Sequence, residues 1–195
     1  MIKIGITGST GILGQNLSKL LRRSKKFKII HYRNNILSKS DVQNWIKNNQ
    51  FQIIIHLAAL VPTQKALSNY NVSKKINFEG TKLLVDSINK YQIKKTYFFF
   101  SSTSHVYSYS NKKLHENSKL KGISKYGKIK ILAEKYIKEN NQKYTYCIGR
   151  ISSLVSEFQK DSFLLINLIK KGKQKKNIFI ENSNIKRNFI YVKDV

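Results

Sequence analysis

The chain has 195 residues, 41% of them hydrophobic; this suits one ordinary domain with a buried core and excludes wholesale disorder. Lys and Arg total 37 against 10 acids, a net charge of +27, so self-repulsion should make solubility and stability depend on salt. A single cysteine, Cys147, excludes an internal disulfide framework, and a reducing cytoplasm is the expected location.

The cations are 32 Lys and only 5 Arg, and they are scattered. Arg is the side chain suited to bidentate phosphate and base contacts, so its scarcity argues against nucleic-acid recognition despite the charge. Lys, Ile and Asn are abundant together, as A/T-rich coding alone would produce. No apolar run approaches the roughly 20 residues of a membrane span, and no signal-peptide pattern precedes the first strand.

In chain order, Ile2–Ile6 reads as a short buried strand and Thr7–Gly14 as a glycine-rich turn. Leu13, Leu17, Leu20 and Leu21 mark one stripe of a helix from about Ile12 to Arg23. Phe27–Tyr32 is a second strand, and Ser40-Asp41 caps a helix carrying Val42, Trp45 and Ile46. Ile53–Leu57, apolar almost throughout, reads as a strand covered on both faces. A helix over Asn77–Lys90 precedes a fourth strand, Thr96–Ser101, and a polar loop. Ser124–Asn140 is a long helix, Thr145–Ile151 a fifth strand, Phe163–Lys170 a helix and Ile178–Ile180 a short strand. This alternation predicts an α/β fold with a parallel sheet and right-handed crossovers. The dense charge run Lys170–Lys176 is read as a solvated helix end and loop.

The turn Thr7-Gly8-Ser9-Thr10-Gly11-Ile12-Leu13-Gly14 follows a strand and opens a helix, the context that gives it meaning. Gly8 permits the tight turn, Gly11 lets backbone approach a pyrophosphate, and Gly14 lets the helix pack closely. The helix start then offers unpaired N–H groups and partial positive charge to phosphates. Gly8, Thr10, Gly11, Ile12, Leu13 and Gly14 are therefore expected to bind a dinucleotide. The second strand ends in His31-Tyr32-Arg33-Asn34, with no acid for a ribose 2′-hydroxyl, so Arg33 tilts the choice between NAD and NADP toward NADP. Tyr126 and Lys130 are four apart on a helix and can meet on one face. A neighbouring ammonium favours the phenolate, so Tyr126 could exchange protons at neutral pH.

Together these features resemble the extended short-chain dehydrogenase/reductases, in particular the NAD-dependent epimerase/dehydratase group. The resemblance runs through the chain in order: the glycine turn, Ile54-Ile55-His56-Leu57-Ala58-Ala59, Asn77-Phe78-Glu79-Gly80-Thr81 and Ser101–Tyr107. It continues through Glu116, Tyr126-Gly127, Lys130, Ala133-Glu134, Arg150 and Arg187–Val195. It implies a Rossmann-type doubly wound parallel sheet over 1–155, with 156–195 a truncated small C-terminal substrate lobe, because relatives continue past Val195.

The resemblance also implies roles. Thr103 would hydrogen-bond the reacting oxygen, Tyr126 would be the general acid/base, and Lys130 would hold the nicotinamide ribose and lower the Tyr126 pKa. Leu57, Ala58 and Ala59 would line the cofactor site, and Asp41-Val42 would meet the adenine ring. Asn77 would have a minor structural role, and His56 is read as a packed or surface histidine. Implied partners are a nucleotide-sugar substrate and a second copy of the chain, paired through two long helices. Dehydratases of the family follow the Thr with Asp-Glu, whereas Ser104-His105 stands here, so dehydration is disfavoured. Nucleotide-sugar epimerisation leads, with NADP-dependent reduction of a 4-keto sugar next. A non-catalytic NAD(P)-binding module, suggested by the short C-terminal lobe, is the rival from another class.

Overall fold

The computed structural model describes residues 1–61, 69–157, 159, 163–175, 177–180 and 186–195. Ile2–Thr7 (β1), Phe27–Tyr32 (β2), Ile53–His56 (β3), Thr96–Thr103 (β4) and Tyr144–Ile151 (β5) form one parallel sheet, ordered β2-β1-β3-β4-β5. Parallel neighbours cannot be joined by hairpins, so helices carry the crossovers. They are α1 (Ile12–Leu21), α2 (Lys39–Asn49), a composite of α3 (Tyr70–Lys74), a π segment (Lys75–Glu79) and α4 (Gly80–Tyr91), and α5 (Lys125–Glu139). The chain leaves β1 toward β2, then returns past β1 to β3. This reversal is where doubly wound sheets open a crevice beyond their strand ends.

The core lies under α2, α4 and α5. Val42 and Ile46 of α2, Leu84, Val85 and Ile88 of α4, and Ala133 and Ile137 of α5 are fully buried with Ile54, Phe98 and Phe100 of the sheet. Ile4 and Ile6, also buried, alternate to the other side. α1 packs against β2 and a 3₁₀ turn at Val192–Asp194.

Several local expectations are corrected. α1 buries the small residues Gly14 and Ser18 most deeply; of the leucine stripe, Leu13, Leu17 and Leu21 are half-buried and Leu20 is 62% exposed. The cap of α2 is Ser38, whose Oγ accepts the Asp41 N–H at 3.4 Å, not Ser40. Val42 is a core residue with no exposed surface, so it has none to offer an adenine ring. The helical run before Gly80 starts at Tyr70.

Ile178–Ile180 is not a strand, and Phe179 is 88% exposed. Among the described residues the strands beyond β5 are Ser153–Val155 (β6) and Phe189–Tyr191 (β7), paired in parallel as a separate small sheet. A helix, α6 (Leu164–Lys173), separates them and has no fully buried residue. Lys170, Lys171 and Lys173 occupy its last turn, where cations suit the helix dipole; Lys176 lies outside the described residues. Among the described residues no helix is long and apolar enough to cross a membrane.

Candidate functional site

The glycine turn stands at the end of β1. Gly8 has φ +70, and a Cβ there would lie 2.5 Å from the Ala58 nitrogen. A Cβ on Gly14 would lie 2.3 Å from the Gly8 oxygen, so α1 begins hard against the turn. Gly11 N–H donates to Gly8 O at 3.1 Å, and Gln15 N–H donates to Gly11 O at 2.9 Å. The N–H groups of Ile12, Leu13 and Gly14 precede that bond and have no helical carbonyl to bind. A Cβ on Gly11 would meet only Gly8 O among the described residues, at 3.3 Å. An open cradle with free amides and a helix start fits a diphosphate.

Leu57 and Ala58 stand directly against Gly8 of the turn. Leu57 N–H donates to Thr7 O at 3.2 Å, and Ala58 N–H donates to Thr7 Oγ1 at 3.2 Å. Beside the turn, an open groove of about 680 Å³ is lined by Ser9, Thr10, Ser18, Arg22, His31 and Arg33, among others. Arg23 lines it too, so three of the chain's five arginines share one groove. His31 bonds Ser18 Oγ at 3.0 Å; burial, then Arg22 and Arg33, lower its pKa. Asp41 lies close enough to Tyr32 at the end of β2 to help burial raise the phenol's pKa.

The Tyr126–Lys130 face of α5 meets the end of β4. A Cβ on Gly127 would lie 2.1 Å from His105 O, so this glycine seats the helix against the 3₁₀ turn Ser104–Val106. Ser124 caps the helix, accepting the Gly127 N–H at 3.0 Å. The Tyr126 ring stands edge-on to His105, centroids 6.5 Å apart. Lys130 is buried; its Nζ donates to Ser101 O at 2.8 Å and lies 4.4 Å over Phe100 and 5.8 Å from the Tyr126 ring centroid. Its charge also reaches His56, at the end of β3. Thr103 is buried, and its Oγ1 accepts the His105 N–H at 3.3 Å.

Residues 4–195 match the NAD dependent epimerase/dehydratase family. The chain belongs to that family. A Methanocaldococcus jannaschii protein, provisionally named a UDP-glucose 4-epimerase, is 29% identical over 213 residues, 97% of this chain and 70% of that protein. A solved dTDP-4-dehydrorhamnose reductase from Clostridium acetobutylicum is 25% identical with a TM-score of 0.77, over 89% of this chain and 60% of that one. The UDP-glucuronic acid 4-epimerase of Bacillus cereus, solved with UDP-glucuronic acid and NAD, shares the fold at TM-score 0.86 and 21% identity. It is matched over 99% of this chain and 70% of its own. The chain thus spans between 60% and 70% of these relatives.

Within this family member, three features escaped sequence reading. Arg22 joins Arg33 around His31, although the clustering of rare arginines was a readable signal. His105 faces Tyr126. Behind the site, Ser102 Oγ donates to Glu134 at 2.5 Å, and Arg150 grips the same carboxylate with Nε and a terminal nitrogen, the shortest contact 2.8 Å. Arg150 also donates to the Tyr107 hydroxyl at 2.9 Å and to Glu116 O at 2.6 Å. This buried pair ties α5 to the loop after β4.

In the ligand-free protein, burial dominates the electrostatics of this pair. Burial pushes the Tyr126 phenol up to about 12, and no lowering by Lys130 accompanies it. Burial pushes the Lys130 ammonium down to about 7, partly opposed by Glu134. Unfolded, this lysine titrates near 10.5, so between the two values the unfolded chain holds the extra proton. The ligand-free protein should therefore gain stability as pH rises from about 7 toward 10, by at most about 1.4 kcal/mol per pH unit from this group. The check is Lys130→Met. Its melting temperature should climb less steeply over that range; an unchanged slope would reject the assignment.

Proposed function

We propose that this chain is an NAD(P)-dependent oxidoreductase of nucleotide-activated sugars whose net reaction is epimerisation. The observation supporting it is the position of Lys130. Its ammonium bonds the end of β4 and influences the end of β3, one helical turn from Tyr126. The Tyr–Lys pair and the phosphate cradle thereby open on the same rim of the sheet.

The Gly8–Gly14 turn would hold the diphosphate through the amides of Ile12, Leu13 and Gly14, with Leu57, Ala58 and Ala59 opposite. When bound, a nicotinamide supplies the hydride acceptor or donor. Tyr126 exchanges the proton of the sugar oxygen at its phenolic Oη. Thr103 Oγ1 already accepts from His105, which leaves its own proton for the reacting oxygen. Lys130 would leave Ser101 O for the ribose hydroxyls, and its restored charge would draw the Tyr126 pKa down. The Ser104-His105 pair has no carboxylic acid to offer for eliminating water. This supports epimerisation or reduction over dehydration.

Product assays with UDP-, GDP- and dTDP-sugars separate the two. Epimerisation interconverts sugars with no net use of dinucleotide; reduction consumes NADPH stoichiometrically. Failure of both with a protein that binds dinucleotide would favour the non-catalytic module.

The arginine groove favours NADP-dependent reduction as the second reading. Arg33→Ser is expected to weaken NADP binding roughly 10- to 100-fold, the value of one charge-assisted hydrogen bond, and to leave NAD binding unchanged. Paired calorimetric titrations check this; equal loss for both dinucleotides would remove Arg33 from cofactor selection.

A further inference from the structure

His56 is a buried side chain at the end of β3, one residue before the wall of the cofactor crevice. Thr7 Oγ1 lies 2.6 Å from its Nδ1, and Thr81 Oγ1 lies 2.9 Å from its Nε2. The neighbours fix the direction of both bonds. Thr7 Oγ1 accepts the Ala58 N–H, and Thr81 Oγ1 donates to Asn77 O at 2.9 Å. Thr81, having given its proton to Asn77 O, accepts from Nε2–H. Nδ1 is then bare and accepts the Thr7 proton. Only this tautomer gives every proton of the chain an acceptor.

The far end of the relay returns to the same loop. Asn77 is fully enclosed; its Oδ1 accepts the Leu60 N–H at 2.8 Å, and its Nδ2 donates to Leu60 O at 3.0 Å and Ser73 Oγ at 3.3 Å. The loop is thus held at Ala58 through Thr7 and at Leu60 through Asn77, with His56 between the two clamps. The π segment, Lys75–Glu79, carries Asn77, and Thr81 follows one turn later on α4. Gly8 is the other party, because its Cα lies against Ala58 and Leu57 with no room for a Cβ.

We infer that His56 is a positioning residue: its imidazole, fixed as the Nε2–H tautomer, registers the Ala58–Leu60 loop against the glycine turn and so sets the width of the cofactor crevice. The inference rests on the dinucleotide-binding reading for its consequence, and on the hydrogen bonds alone for the relay. Burial lowers the His56 pKa to about 3, so the ring keeps one donor and one acceptor throughout the neutral range.

The test compares Thr81→Val, which removes the acceptor of Nε2–H at nearly constant volume, with Thr81→Ser, which restores the hydroxyl. Three readouts are taken on the full chain: NAD and NADP affinity, amide hydrogen exchange, and the nitrogen chemical shifts of His56. Thr81→Val should weaken both dinucleotides about tenfold. The same substitution should speed exchange at the Ala58 and Leu60 amides while leaving Ile54 and Phe98 protected, and Thr81→Ser should behave as the parent protein.

In the unsubstituted protein, His56 should show a protonated Nε2 and a bare Nδ1 from pH 5 to 8, a result that does not depend on how any variant folds. Parent-like affinity and exchange in Thr81→Val, or a protonated Nδ1, would overturn the inference. If the parent protein binds neither dinucleotide, the crevice role falls with that reading, while exchange and tautomer still decide the relay by themselves.

Discussion

Tyr126→Phe is expected to lower turnover of a nucleotide-sugar substrate by roughly a hundred- to ten-thousand-fold, the range of a lost general acid/base. Dinucleotide affinity should stay within about twofold, a margin well under the 1.4 kcal/mol of a tenfold change. The substitution removes one hydroxyl and keeps the ring. The edge-on contact with His105 and the seating of Gly127 under His105 O therefore survive. Folding should not suffer, because the ring and its packing are kept. Steady-state rates with epimerase and reductase substrates, set beside a dinucleotide titration, make the measurement. Undiminished turnover would end the assignment of Tyr126.

Gly11→Val is expected to abolish dinucleotide binding and leave the protein folded. Gly11 has φ −73 and ψ 167, an extended conformation that any L-residue adopts. A Cβ there meets only Gly8 O, at 3.3 Å. Valine therefore requires Gly8 O to give by a few tenths of an ångström and fills the approach a diphosphate needs. The melting temperature should move by only a few degrees, since a poorer helix cap costs about 1 kcal/mol and the loss of glycine's unfolded freedom offsets part of it. Gly14 is the contrast: a Cβ at 2.3 Å from backbone oxygen would disrupt the fold itself. Co-purified dinucleotide, measured by mass spectrometry in Gly11→Val and the parent, reads the result. Equal occupancy would remove the cradle from the binding site.

The sheet was legible because its strands are apolar runs and its first turn has glycines where backbone meets backbone. Ile53–His56 and Thr96–Thr103 needed no more than that. The β6–β7 ladder was hidden because each strand has three residues and the partners are far apart in sequence, which leaves no periodic signal. Ile178–Ile180 has the apolar side chains of a strand but no paired neighbour among the described residues, and strand character needs a ladder as well as composition. Val42 was misplaced because a helix cap and a ligand contact look alike in sequence, whereas burial separates them. At the site, spacing put Tyr126 and Lys130 on one face, but it could not say that Lys130 turns inward to Ser101 O. Nor could it say that burial, rather than the neighbouring amine, dominates the phenol's titration.

The pairing of β1 has a consequence for how the chain assembles. Its nearer partner begins at Phe27, but its other edge is closed only by Ile53–His56. The Thr7–His56 contact bridges 49 residues. No hairpin can nucleate this sheet, so the entropy of closing long loops must be met before the ladder rewards it. On a ribosome, the glycine-rich turn emerges ahead of its opposing wall, which it acquires only after His56 and Ala58 have left the exit tunnel. The crevice between turn and wall thus stays open-sided while α1, β2 and α2 are made, although its β1 half precedes all three.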